Sequence, residues 1–360
     1  MSTRKKGIAI VHNLTNGGAV RVLEETKKIL SRRYNITVFT PEKIISVGKT
    51  GIDKILEYLK YVYFILPCEY RKISQQINKQ DFQAVVLNHD AYTKAPYALL
   101  YLKKKSVYIL HEPPREFYEP LKFHAPLLGD KLFTIFRLPI FFIDKFLTKR
   151  ANTVVANSKF SKKRIDNIYR IDSKIIYCGV SGKFHILKKQ KVLNTCISVG
   201  SLLPYKGHDL TISAIGTLRN KPNFIIVGGG RNIEKKKIRA LAKQKRVKLE
   251  IFDSLTDKKL NYLFNASTVF INSAFREPFG LSALEAIASG LQVVTVDDGG
   301  TKELKKYFPQ QLHIVKRDQK SISAGIKDAL ANRIHTKVVI PGIFKWNNTV
   351  NELSEIIEEK

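Results

Sequence analysis

Residues 277–285 read Glu-Pro-Phe-Gly-Leu-Ser-Ala-Leu-Glu, which sets two carboxylates eight positions apart around a Pro-Phe-Gly turn. The turn predicts a helix over 282–289 whose first N–H groups, near Phe279, Gly280 and Leu281, have no carbonyl partner. Those N–H groups and the positive end of the helix dipole attract phosphate. Glu277, in the loop, can accept hydrogen bonds from hydroxyls beside that phosphate. Glu285, about one turn into the helix, can take both hydroxyls of a ribose diol. A nucleotide-sugar offers a partner to each of these groups.

Other residues suit the same ligand class. Lys206 follows an apolar strand and a Pro-Tyr turn and precedes Gly207, so its ammonium can lie beside a diphosphate and neutralise a leaving group. The plainer reading of a loop lysine is that it is solvated. His111 closes another apolar run and opens His-Glu-Pro-Pro-Arg at 111–115, where two prolines hold the segment extended; a merely structural loop histidine is the alternative. Arg115 offers a bidentate fork to an acceptor phosphate. Gly17 and Gly18 open a helix over 19–30 and let a ligand approach the backbone, or simply turn the chain. His12 and Asn13 border that turn as further acceptor contacts.

The elements that must position these residues alternate strand and helix. Apolar runs at 7–11, 36–39, 84–87, 107–110 and 153–156 read as buried parallel strands separated by amphipathic helices. A second series begins at 196–200 and continues at 224–227, 249–252, 269–272, 292–296 and 313–315. The fold class is therefore α/β with two doubly wound domains, and the break falls near 182–192, where Lys183, Lys188, Lys189 and Lys191 interrupt the apolar pattern. A first domain at 1–185 follows, with the second beginning at 186. Candidate site residues cluster after strands, where open α/β sheets bind ligands. Their convergence on one cleft is an expectation of that fold class.

The spacing of Glu277 and Glu285 also resembles the E-x7-E motif of family 4 glycosyltransferases, retaining enzymes with two Rossmann-like domains in the GT-B arrangement. Residues 198–208, Ser-Val-Gly-Ser-Leu-Leu-Pro-Tyr-Lys-Gly-His, resemble the family's phosphate-binding loop, and Asn16-Gly17-Gly18 its N-terminal glycine loop. Segments at 156–161, 177–180 and 226–230 match in the same order, so the resemblance covers nearly the whole chain. It implies donor contacts from Gly200, Ser201, Gly228, Gly229, Arg231, Arg276, Phe279, Gly280, Leu281 and Glu285. It implies catalytic roles for His111, Lys206 and Glu277, and acceptor contacts from His12, Asn13, Gly17, Gly18 and Arg115. Similar enzymes usually carry arginine where this chain has Ser201. Lys206 then acts alone, Arg276 or Arg231 substitutes, or activity is weak.

The resemblance further implies transfer with retention by same-face attack, the departing phosphate oxygen taking the acceptor proton, with no cofactor and no bound metal. No Asp-x-Asp motif or histidine cluster is present to hold a metal. Segment 344–347, Phe-Lys-Trp-Asn, resembles the family's last crossing back to the N-terminal domain, beside a hinge that would close over the substrates, which implies a second domain at 186–340 and a closing helix at 341–360.

Composition bounds the partners. The chain has 360 residues, 44% hydrophobic, enough for two cores, and a net charge of +31. Such charge favours nucleic acid, anionic lipid or a phosphorylated substrate, against the plainer reading of a lysine-rich surface kept for solubility. Nucleic acid is the weakest of these, because no zinc-finger spacing or aromatic RNA-binding strand motif occurs. Three scattered cysteines, Cys68, Cys178 and Cys196, favour a reducing interior. The N-terminus shows no signal-peptide core, so the expected location is cytoplasmic, peripheral on the inner face of the membrane.

Two apolar, aromatic and lysine-bearing stretches, 54–72 and 127–147, break off too often in charge to span a bilayer. Each either lies in a membrane interface or packs on its own sheet. The expected activity is hexose transfer from a nucleotide diphosphate sugar to a glycan or a polyprenyl- or dolichyl-linked oligosaccharide. A soluble-acceptor transferase and a catalytically weak glycan-binding subunit are the alternatives.

Overall fold

The computed structural model describes residues 5–15, 17–42, 52–125, 127–188, 194–332 and 338–359. Asn16 of the glycine loop, Lys189 and Lys191 of the expected linker, and the first four residues lie outside them. The chain divides into two compact units: Met1–Glu119, Leu127–Cys178 and Trp346–Lys360 form the first, and Pro120–Pro126 with Gly179–Lys345 the second.

The first unit carries a six-stranded parallel sheet of β1 (Gly7–Asn13), β2 (Asn35–Phe39), β3 (Phe82–Asp90), β4 (Ser106–Ile109), β5 (Thr153–Ala156) and β6 (Lys174–Ile175), in the order β2-β1-β3-β4-β5-β6. Strand side chains alternate between faces, and both faces are covered. Ala9, Val11, Val85 and Leu87 meet Tyr61, Leu66, Tyr70, Ile140 and Leu147 on one side. Ile8, Ile10, Ala84 and Val86 meet Leu23, Leu30, Val350, Leu353, Ile356 and Ile357 on the other. The last four belong to helix Trp346–Glu358, so the end of the chain completes the first core. Burying those side chains contributes roughly 1.5–3 kcal/mol each before entropy is counted.

The second unit carries β7 (Thr195–Val199), β8 (Asn223–Val227), β9 (Leu249–Phe252), β10 (Val269–Asn272), β11 (Gln292–Val296) and β12 (Leu312–Val315), all parallel, in the order β12-β11-β10-β7-β8-β9. Strand order reverses between β7 and β10 here, and between β1 and β3 in the first sheet. Crevices for ligands open at the carboxyl ends of strands at such points.

Three features depart from the sequence expectation. β6 has two residues, Lys174 and Ile175, and no apolar run to announce it. The passage between units falls at Cys178/Gly179 and Lys345/Trp346, several residues from 185/186 and 340/341. The segment Pro120–Pro126 belongs to the second unit although its neighbours on both sides belong to the first.

The two apolar stretches behave differently. Residues 52–79 form helix Ile52–Lys60, a π-helical turn Tyr61–Ile65 and helix Leu66–Lys79, which bury Tyr61, Val62, Leu66, Tyr70, Ile73 and Ile77 in the core; Leu56 and Phe64 stay exposed. Helix Leu128–Phe136 buries nothing, and helix Leu138–Thr148 buries Ile140, Asp144, Leu147 and Thr148. Leu128, Leu132, Ile135, Phe136, Leu138, Phe142 and Phe146 face outward, while Phe141 packs on Phe117 and Tyr118. Among the described residues no helix is long and apolar enough to cross a membrane.

Candidate functional site

In the second unit the loops after β7 and β10, on either side of the strand-order reversal, bring two expected residues together. Lys206 Nζ donates to Glu277 Oε2 at 2.8 Å, with side chains 19% and 18% exposed. Glu277 is fixed through its backbone: Gly300 N–H donates to its carbonyl at 2.7 Å, and Glu277 bridges to Gly299. The helix beside it runs Leu281–Ala288, one residue earlier than the expected start, with Gly280 as its N-cap at φ 89°. A Cβ on Gly280 would stand 2.3 Å from Thr301 Oγ1, and Thr301 is held by Asn272 Nδ2 at 2.9 Å. Glycine at 280 thus lets the helix start close against the loop after β11. The first N–H groups of that helix have no intrahelical acceptor.

Glycines on the neighbouring loops serve close approach. A Cβ on Gly228 would lie 1.9 Å from the Gly200 carbonyl oxygen, so the ends of β7 and β8 touch through backbone alone. His208, which the sequence reading did not single out, fixes this corner: Nε2–H donates to the Gly200 and Ser201 carbonyls, both at 3.2 Å. Burial lowers the His208 pKa to about 4, so the ring is neutral near pH 7. Gly229 has only Asp253 O near the position of a Cβ, at 3.8 Å.

The other expected donor residues are distributed less simply. Arg231 caps helix Asn232–Gln244 and donates through Nε to Glu234 Oε1 at 2.7 Å. Arg276 has a left-handed φ of 51° and its guanidinium lies 5.0 Å from the Phe275 ring centroid. Phe279 is buried and its ring packs 6.2 Å from Phe344, so its side chain belongs to the core. Leu281 begins the helix and is half-buried; Glu285, one turn later, is buried.

Arg317 and Ser273 were missed. Arg317 Nε–H donates to the Ser273 carbonyl at 3.1 Å, and its guanidinium lies over Phe275 and Phe123, whose rings stack at 4.4 Å. Arg317 lies 40 residues beyond Glu277, and Ser273, four residues before it, acts through its backbone carbonyl, which leaves no signal in the residue type.

In the first unit the carboxyl ends of the strands present a different set. His111 follows β4, with Nδ1 at 3.5 Å from Asn157 Nδ2 and its ring 5.6 Å from His89 in an edge-to-face contact. Burial lowers the His111 pKa to about 4, against the raising effect of Glu112, and puts His89 well below the ordinary value. Among the described residues His111 Nε2, Asn13 Oδ1, Asn157 Oδ1, His89 Nδ1 and both amide atoms of Asn88 are buried without a hydrogen-bond partner. Buried polar atoms are ordinarily paired, and ordered water or a polar ligand can supply the partner. Asn88 and His89, neighbours at the end of β3, and Asn157, within the 156–161 segment just after β5, were not named as site residues, because they come from two separate strands and share no pattern.

Asn13 Nδ2 donates to Asp90 Oδ2 at 2.8 Å, and the Tyr70 hydroxyl donates to the same oxygen at 2.8 Å. His12 Nδ1 accepts from the Leu14 N–H at 3.3 Å. Gly17, at φ 100°, and Gly18 have open space where a Cβ would project. Arg115 is buried, and its guanidinium donates to Glu112 at 2.6 Å and Glu119 at 3.0 Å; Glu119 also pairs with Arg164 at 2.7 Å. The fork expected for an acceptor phosphate already holds two carboxylates. Among the described residues no three His, Cys, Asp or Glu side chains come together as a metal-ligand set.

Comparison with known proteins identifies the family. The family described as glycosyl transferases group 1 matches residues 183–346, and the family described as Glycosyltransferase Family 4 matches residues 16–182. The chain belongs to the group 1, family 4 glycosyltransferases. A GDP-Man:Man(3)GlcNAc(2)-PP-Dol alpha-1,2-mannosyltransferase of Mus musculus is 27% identical over 175 residues, 42% of this chain and 35% of the relative. The match thus spans about a third of that relative's length. Among solved structures, a sucrose-phosphate synthase of Thermosynechococcus elongatus has a TM-score of 0.74 at 14% identity, covering 98% of both chains. The Anabaena protein HepE, in complex with UDP and glucose, has a TM-score of 0.70 at 16% identity, covering 97% of this chain and 98% of its own. These likenesses support the two-domain GT-B glycosyltransferase fold.

Proposed function

We propose that this transferase moves a hexosyl group from a nucleotide diphosphate sugar to a glycan or a polyprenyl- or dolichyl-linked oligosaccharide at a membrane surface, with retention of configuration. The observation that carries the reading is the Lys206–Glu277 pair across the strand-order reversal, beside the start of helix Leu281–Ala288. Lys206 and the helix start hold the donor diphosphate and take up the charge that develops on it as the sugar leaves. Glu277 accepts from sugar hydroxyls and Glu285 from the ribose. His111, held neutral by burial, hydrogen-bonds the sugar, and the Asn13, Asn88 and Asn157 amides supply acceptor contacts.

In the bond-forming step the acceptor hydroxyl oxygen attacks the anomeric carbon from the face that the phosphate leaves. The C–O bond to phosphate breaks, and the departing phosphate oxygen receives the hydroxyl proton. Charge neutralisation is assigned to Lys206 and the helix start rather than to a metal ion. The membrane surface is suggested by the outward apolar faces of helices Leu128–Phe136 and Leu138–Thr148.

Screening UDP-, GDP- and ADP-sugars by thermal unfolding tests the donor assignment. One class should stabilise the protein, by about 2.7 kcal/mol at a hundredfold excess over Kd, and should be hydrolysed slowly without acceptor. Stabilisation by free glycans alone, with no donor hydrolysis, would favour the glycan-binding subunit that Ser201 suggests.

A further inference from the structure

At the opposite end of the first sheet, below the starts of β4 and β5, lies a cavity of about 520 Å3 lined by Leu99, Leu102, Lys103, Lys104, Lys105, Ser106, Arg150, Asn152, Thr153 and Glu359. Its lining holds four cations, Lys103, Lys104, Lys105 and Arg150, against the single carboxylate of Glu359. That carboxylate is already engaged by Lys174 Nζ at 2.6 Å, and the Glu359 backbone carbonyl takes Lys105 Nζ. Among the described residues no carboxylate pairs with Lys103, Lys104 or Arg150. The walls are fixed: Lys103 N–H donates to Asn78 Oδ1 at 3.0 Å, and Asn152 Oδ1 accepts from the Ser106 N–H and hydroxyl, each at 2.9 Å. Solvated lysines on an open surface repel and spread. Here four cations line one half-open cavity, Lys103 and Arg150 exposed and Lys104 and Lys105 half-buried, which fits a phosphate group at a surface.

One wall leads onto an apolar stripe. Leu138, Phe142, Phe146 and Arg150 follow one another at intervals of four, which places them on one side of helix Leu138–Thr148 and its end. Phe142 is 70% exposed and Phe146 54%, and the Arg150 guanidinium lies 5.5 Å from the Phe146 ring centroid. An apolar stripe that ends in a cationic cavity matches the layers of a bilayer surface, acyl boundary first and anionic headgroups next. We infer that this cavity binds the phosphodiester headgroup of an anionic phospholipid, with the Leu138–Phe146 stripe seated in the adjoining acyl boundary. The inference rests on the membrane-surface reading but uses none of the residues assigned to the donor.

Co-sedimentation with phosphatidylcholine vesicles, with and without phosphatidylglycerol, tests it. The Lys103→Gln/Lys104→Gln/Arg150→Gln variant should lose about 100-fold in affinity for phosphatidylglycerol vesicles, at about 1 kcal/mol per basic residue near an anionic surface. Its Tm and its donor-sugar hydrolysis should be unchanged. A charge-matched Lys236→Gln/Lys237→Gln/Lys243→Gln variant, on the exposed side of helix Asn232–Gln244, should bind like wild type. Phe142→Ser/Phe146→Ser should remove the part of binding that survives high salt.

Equal losses in both charge variants would assign the effect to net charge and overturn the site. Vesicle binding unchanged in the cavity variant would overturn it too. Stabilisation of wild type but not of the cavity variant by pyrophosphate, with no vesicle binding, would replace the lipid by a soluble phosphate compound. Loss of donor hydrolysis is a separate outcome that bears on the transferase reading alone.

Discussion

At the carboxyl end of the second sheet the assembled side chains are charged and partly exposed, with Lys206 against Glu277 and Arg276 and Arg317 over Phe275. At the same end of the first sheet they are neutral and buried, His111, Asn13, Asn88 and Asn157, with His89 half-buried beside them. The charges nearby are consumed internally: the buried Asp90 carboxyl accepts from Asn13, Tyr70 and the Tyr92 and Thr93 N–H groups, and ion pairs run from Lys94 through Glu112, Arg115 and Glu119 to Arg164. The difference follows the chemistry of the two halves of the proposed reaction. A diphosphate leaving group needs a fixed countercharge. A sugar hydroxyl needs only donors and acceptors of defined direction, and a full charge there would carry a desolvation cost with nothing to offset it. One fold thus supplies two dissimilar environments from equivalent loop positions.

The sharpest way to break that comparison is to remove the countercharge. Lys206→Ala should lower kcat by about 10²-fold or more, measured as donor consumption with acceptor saturating. Near wild-type turnover in that variant would mean that the second sheet's charge is not what drives departure of the phosphate.

The neutrality of the first sheet's histidine can be read from stability. His111 and His208 are both held near 4 by burial, below the ordinary value of 6.5, so the unfolded chain binds more protons between these values. Stability should therefore fall as pH drops from about 6.5 towards 4, by about 3 kcal/mol per histidine. Asp144 works against this trend. Burial raises its carboxyl to about 7 despite hydrogen bonds from Tyr169 and Ala95, so the folded chain holds the extra proton between about 4 and 7 and gains stability as pH falls. Asp144→Asn should steepen the acid loss, and His111→Gln should flatten it, in urea titrations at pH 7 and pH 4.5. A His111 variant with the same acid slope as wild type would show that the ring carries charge in the fold.

The smallest expected effect sharpens the division within the donor cradle. Glu285→Gln should weaken free nucleoside diphosphate and intact donor alike, by about tenfold, since a ribose contact is the same in ground and transition states. Calorimetric titration checks it. A drop in kcat with unchanged nucleotide affinity would move Glu285 from the ribose to the reacting sugar.

The proposed donor cradle could be drawn from the sequence because its parts are local in it. Glu277, Gly280 and Glu285 lie within one turn and one helix, and Lys206 lies within eight residues of the end of a strand. The neutral shelf was half legible. His111 stood out beside its prolines, but Asn88, His89 and Asn157 come one or two at a time from separate strands and share no pattern. Arg317 and the Pro120–Pro126 segment escaped notice for the same reason, since only the folded chain places Phe123 on Phe275. Residues 54–72 and 127–147 look alike as strings of apolar, aromatic and basic residues. Only packing separates a segment that buries Tyr61 and Tyr70 from one that leaves Phe142 and Phe146 outside.

Helix Trp346–Glu358 carries Val350, Leu353, Ile356 and Ile357 into the core that Ile8 and Ile10 begin. A ribosome makes this helix after the whole of β7–β12, so the first domain to emerge is the last to close. Until then the part of that face beyond Leu23 and Leu30 stays open to water, and a nascent chain carries an adhesive apolar surface. Cutting the gene at the boundary between the sheets would leave that surface bare for good, and the half that begins with β1 should aggregate unless the closing helix is supplied as a separate peptide.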